Sequence, residues 1–197
     1  MELNDSYGYR DNLNYGIIGN CQSSALIHKD SSIDWCCLPR FDSPSIFGKI
    51  IDNKIGGFFK IEPIGNYNVK QEYFKNTSIL KTSFSNGYDK FEVIDYMPRY
   101  QLIENNYYSP PEISRIVKLI NGKPKVKIIY DPKLDYSLGE SKSYAKDDFI
   151  VTVSENDNYE TLYLYSNLNL YKILDSDKIE LNSDLFFKIS YYEKLLI

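Results

Sequence analysis

Four side chains in one short stretch carry chemistry a carbohydrate site can use: Trp35, Arg40, Phe41 and Asp42. A flat ring stacks on a sugar face, and a guanidinium with a carboxylate hydrogen-bonds the hydroxyls around it. The same four residues also admit a purely structural reading, in which Trp35 and Phe41 plug a core or an interface and Arg40 pairs with Asp42 to fix a loop. The stretch from Tyr15 to Phe47 that contains them also holds the single His and all three Cys.

Other chemistry finds less support. Asp34 and Asp42 could be paired on paper as acid and base, but with 27 acidic residues any two could, and turn hydrogen bonding or pairing with Arg40 accounts for them. His28 lies between Ile27 and Lys29 at the end of an apolar run, and no G-x-S-x-G nucleophile turn accompanies it, so a triad is not expected. Adjacent Cys36 and Cys37 on a strand point to opposite faces, which spoils convergent metal ligation, and both read as core residues. Gly56-Gly57 is a turn rather than a phosphate loop. Neither a metal nor a cofactor is expected, and catalytic residues are expected to be none.

The elements that would hold these residues are short strands. SSALIH and IDWCCL precede Pro39, and Ser43-Pro44 has the order of an N-cap followed by Pro at the first helical position, which predicts a short helix over 44–51. Gly16 and Gly19, flanking Ile17-Ile18, suggest positive φ or close backbone approach. Further strand patterns are GFFKIEP, YNVKQEYF, SILKTSF, KFEVIDYM, FIVTVS, ETLYLYS, KIEL and DLFFKISYY. Asn86-Gly87 joins two of them as a hairpin, and Asn121-Gly122 predicts a second, stronger hairpin between EISRIVKLI and KPKVKIIY. NNYYSPP at 105–111 reads as a long exposed loop and 142–148 as a polar connection. About a dozen strands with frequent turns give an all-β fold, an antiparallel β-sandwich in one domain over 1–197.

Composition agrees, with aromatic residues at 15%, chiefly 19 Tyr, and these favour strands. A net charge of −4 without a basic stripe argues against a nucleic-acid partner. No window approaches the roughly 18 apolar residues of a membrane span, and the first residues do not read as a secretory signal. Three Cys without regular spacing fit a reducing compartment, so the expected localisation is cytoplasmic.

The string IGNCQSSALIHKDSSIDWCCLPRFDSPSIF resembles the N-terminal signature of bacterial and archaeal glucoamylase-like and trehalase-like enzymes, glycoside hydrolase family 15. The resemblance continues through GGFFKIEP, EYFKNTSILKTSF, FEVIDYMP and EISRIVKLINGKPKVKIIYDPKLDY. Ser31 stands where the family usually has Gly in its turn, and PKLDYS at Pro132–Ser137 stands where an Arg-Phe version is commoner. The resemblance implies a super-sandwich domain whose partner is a helical-barrel catalytic domain. It also implies inverting chemistry by two acids roughly 6.5–9.5 Å apart, both Glu residues of that barrel, and no position here matches their motifs. The expected function is therefore a non-catalytic domain, inactive alone, that docks on the barrel and contributes a loop near its substrate, an α-1,4-glucan or trehalose. The alternative is a free-standing module that binds α-glucans. An uncovered apolar docking face would favour self-association.

Overall fold

The computed structural model describes residues 13–155 and 160–195. Among these residues seventeen strands form two large antiparallel sheets and a small hairpin. The first sheet contains β1 (Tyr15–Gly19), β2 (Ser24–His28), β3 (Ile33–Cys37), β5 (Phe58–Pro63), β12 (Lys125–Asp131) and β16 (Lys178–Glu180) in that order, with β4 (Ser45–Phe47) on β3. The second runs β13 (Ser141–Lys146), β14 (Phe149–Ser154), β15 (Thr161–Ser166), β17 (Leu185–Tyr191), β11 (Glu112–Asn121), β8 (Lys90–Tyr96), β7 (Leu80–Ser85) and β6 (Asn68–Tyr73). β9 (Tyr100–Ile103) and β10 (Asn106–Tyr108) pair only with each other. No helix among the described residues is long and apolar enough to cross a membrane.

Alternation explains the layering. In β7 the residues Leu80, Thr82 and Phe84 are buried and the intervening ones half-exposed, and in β12 Val126, Ile128 and Tyr130 are buried in the same rhythm. Each sheet thus presents an apolar face, and one core cluster draws on both. Phe59 of the first sheet meets Phe187 of the second edge-on at 5.6 Å. Through the same core runs an ion pair: Arg115 donates to both Asp95 oxygens (2.6 and 3.2 Å) and to the Phe59 carbonyl (2.9 Å) across the sandwich. Gly16 is a place of close approach, since a Cβ there would lie 2.5 Å from the Leu80 side chain.

Four expectations need correction. Asn121-Gly122 does not make a hairpin, because β11 is already flanked by β8 and β17, and the chain crosses to the first sheet, where β12 pairs with β5 and β16. No helix follows Pro44; Ser45, Ile46 and Phe47 form a strand buried on both faces, and the Ser43 hydroxyl accepts from the Arg40 N–H (3.1 Å) to close a tight turn. Among the described residues the one α-helix is α1 (Leu170–Leu174), where the Asn169 side chain accepts from the Tyr171 N–H. Segment 105–111 contains β10, and 142–148 contains most of β13. The two departures from the family pattern both fall on left-handed backbone, at Ser31 (φ 67°) and at three consecutive residues, Asp135, Tyr136 and Ser137 (φ 50–62°).

Candidate functional site

Strand registers bring the 19–23, 38–43, 97–111 and 134–138 segments to one end of the sandwich. β3 leads into the cis Leu38–Pro39 peptide and then the loop carrying Arg40, Phe41 and Asp42. Two backbone contacts seat this loop: the Phe41 N–H donates to the Gln22 carbonyl (3.2 Å) and the Ser43 N–H to the Arg40 carbonyl (3.1 Å). Beneath it the buried Ser23 hydroxyl donates to the Cys37 carbonyl.

Arg40 donates from Nε and Nη2 to the two Asp42 oxygens (3.0 and 3.1 Å), and both side chains are exposed. Phe41 stands out between them, 61% exposed. With Cys21 and Gln22 they line a shallow cleft. The structure thus brings together three of the four candidates. Trp35 lies apart, half-buried on β3 opposite Leu26, which in turn lies opposite Ile17. That row is the non-core side of the sheet, since Ala25, Ile27 and Cys36 fill the core side.

The remaining candidates are structural. Asp34 is buried and accepts from the Tyr15 and Ser32 hydroxyls. His28 is buried, its Nδ1 2.8 Å from Asp30, with the Tyr15 ring edge-on. Burial pushes the thiols of Cys36 and Cys37 up, which leaves them protonated and poor ligands or nucleophiles. Among the described residues no three His, Cys, Asp or Glu side chains converge as a metal site would need.

Sequence reading missed two neighbours of the loop. Arg99 reaches the Cys21 sulfur (3.4 Å) and stacks over Tyr107 (4.2 Å), and the Tyr136 hydroxyl donates to the Ser43 carbonyl (3.3 Å). Neither had a local signal, because the contacts Arg99–Cys21 and Tyr136–Ser43 span 78 and 93 residues. Among the described residues Asp42 is the sole carboxylate lining the cleft, and it is held by Arg40. One paired carboxylate can orient a hydroxyl, but it does not supply the acid and base of glycoside hydrolysis.

Residues 13–181 match the model of the family described as trehalase-like, N-terminal. The chain belongs to that family. Trehalase 2 of Sulfolobus acidocaldarius is 32% identical to this trehalase-like N-terminal domain over 171 residues, 87% of this chain and 27% of its own length. A trehalase of Thermoplasma volcanium is 32% identical over 178 residues, with the same two shares, and one of Mycolicibacterium smegmatis is 27% identical over 174 residues, 79% of this chain and 26% of its own. The trehalase-like chain therefore spans about a quarter of the length of these relatives. No solved structure matches it.

Proposed function

We propose that this trehalase-like domain is the non-catalytic N-terminal part of a trehalase-type glycoside hydrolase. It docks on the catalytic domain, a helical barrel by the family resemblance, and stabilises it, while the loop of Arg40, Phe41 and Asp42 shapes the mouth of the substrate site. Trp35, on the non-core side of β3, stands apart from that loop. The observation that carries the reading is the match to about a quarter of each trehalase, 27% for the two archaeal relatives, together with a cleft that holds one carboxylate already engaged by Arg40. Trehalose is the favoured substrate over an α-1,4-glucan because these relatives are named trehalases.

The test is glucose release from trehalose and from maltooligosaccharides. The isolated chain is expected to release none. Placed in a trehalase in exchange for the matching segment, it should support trehalose hydrolysis, and Arg40→Ala or Asp42→Ala there should raise KM or lower kcat. Activity of the isolated chain, or an exchange that destroys hydrolysis, refutes the proposal; normal kinetics with a lowered melting temperature would leave the loop a structural part only.

A further inference from the structure

We infer that the docking surface for the rest of the trehalase chain is one continuous apolar band across the loop-bearing end of the sandwich; the inference rests on the function proposed above. Large apolar side chains crowd there in a way that a free surface does not need. The β9–β10 hairpin exposes Tyr100, Leu102 and Ile103, the last at 68%, and pairs with no other strand among the described residues. On the far side Ile55 (58%) and Leu138 (74%) stand out. Phe41 projects between the two groups.

Contacts between their neighbours place these groups side by side. Arg99, at the foot of the hairpin, touches Cys21, and Cys21 lines the same cleft as Phe41. Ser43, two residues on, accepts from Tyr136, and Ser137 donates from its hydroxyl to the Ile55 carbonyl (2.9 Å). The left-handed turn at 135–137 holds Tyr136 and Leu138 beside the loop at a conformational cost usually met where a surface is committed to a task. Elsewhere the exposed Tyr73 and Phe74 adjoin Ile17, whereas Tyr88, Tyr171 and Phe186 stand on separate elements, as single apolar residues do on any protein. A contiguous band of this kind marks an interaction site.

Chain direction selects the occupant. β17 brings the polypeptide to this same end, its Tyr191 N–H donating to the Pro111 carbonyl (3.1 Å) just behind the hairpin. In relatives where the matched region is 27% of the whole, a following domain leaves from beside the band and has the shortest path onto it. Charged side chains within it, Arg40, Asp42 and Arg99, would supply the hydrogen bonds that a protein interface carries beside its apolar contacts.

The experiment uses a trehalase in which residues 13–195 of this chain replace the matching segment of Sulfolobus acidocaldarius Trehalase 2, read by calorimetry, limited proteolysis and trehalose hydrolysis. The parent exchange should unfold in one transition. Leu102→Asp with Ile103→Asp should split it into two and speed cleavage between the parts about ten-fold, the loss expected for removing interface anchors; Phe41→Asp with Ile55→Asp, on separate loops, should do the same. Tyr88→Asp with Phe186→Asp should change neither. In the isolated chain all three pairs should keep the parent melting temperature, which separates lost docking from lost folding.

An active exchange that tolerates both band pairs overturns the surface and leaves the proposed function standing. So does equal damage from the Tyr88 and Phe186 pair. A parent exchange that is inactive and already melts in two steps removes the proposed function and the surface with it. Band substitutions that dissolve a dimer of the isolated chain while sparing the exchange make a second copy the occupant, which also overturns the assignment.

Discussion

Removing the Arg115 guanidinium should be the most costly single change in the core. Arg115 is 1% exposed and Asp95 fully buried, so Arg115→Met strands a carboxylate in an apolar layer and deprives the Phe59 carbonyl of its donor. An uncompensated buried charge costs about 3–5 kcal/mol, and a lost buried hydrogen bond adds about 1 kcal/mol. With a urea dependence of about 2 kcal/mol per molar, the unfolding midpoint should fall by roughly 2–3 M. Burial already pushes the Asp95 carboxyl up, with Arg115 drawing it back down. Without Arg115 the folded-state pKa rises further above the unfolded value. The neutral carboxyl then contributes stability below the unfolded pKa that is lost as pH climbs through the folded one, so the variant should be weakest near neutrality and recover toward pH 4. Asp95→Leu combined with Arg115→Met should be more stable than either single variant, because no charge is left unpaired. A single-variant loss below about 1 kcal/mol, or a double variant as unstable as the two losses added, would refute the reasoning.

Two further outcomes follow from local geometry. Gly56→Ala puts a Cβ 2.3 Å from the Gly48 carbonyl oxygen and 2.6 Å from that of Asp52; overpacking of this kind costs about 1–3 kcal/mol, which in a chain of this size lowers the melting temperature by roughly 2–12 °C. Glu160, which accepts from the Asp135 N–H (2.9 Å) and the Tyr191 hydroxyl (3.1 Å), has its carboxyl pushed up by burial. Its protonated form favours the fold, a contribution complete below the unfolded carboxyl pKa and lost as pH rises through the folded value. Glu160→Gln should flatten that decline in urea titrations between pH 4 and 7.

The sandwich was readable because its strands alternate: β7 and β8, with Asn86-Gly87 between them, pair as local pattern demands, and Asn86 Oδ1 accepts from the Tyr88 and Asp89 N–H groups to set the turn. The same dipeptide misled at Asn121-Gly122. There the Asn121 side chain donates to the Tyr88 carbonyl and Lys123 N–H to Asp89, so the segment is hooked onto the neighbouring hairpin and sent to the other sheet. Nothing local announces that, because the strand occupying the place of a hairpin partner is β17, far along the chain. Ser43-Pro44 failed for a related reason: burial of Ile46 and Phe47 on both faces outweighed a capping signal. At the site, Arg40 and Asp42 were legible as a pair from spacing alone, whereas Trp35 differs from them by being in a regular strand, which directs it away from the loop.

The position of β17 bears on how the protein is made. The family match ends at residue 181, yet β17 begins at Leu185 and lies between β15 and β11 in the middle of the second sheet. Until it arrives, both neighbours present open hydrogen-bonding edges of the kind that recruit other chains. At about 5–20 residues per second on the ribosome, the roughly sixty residues separating β11 from β17 impose a wait of several seconds. A gene fragment cut at the family boundary would make that wait permanent, and a soluble product needs the chain carried through Tyr191.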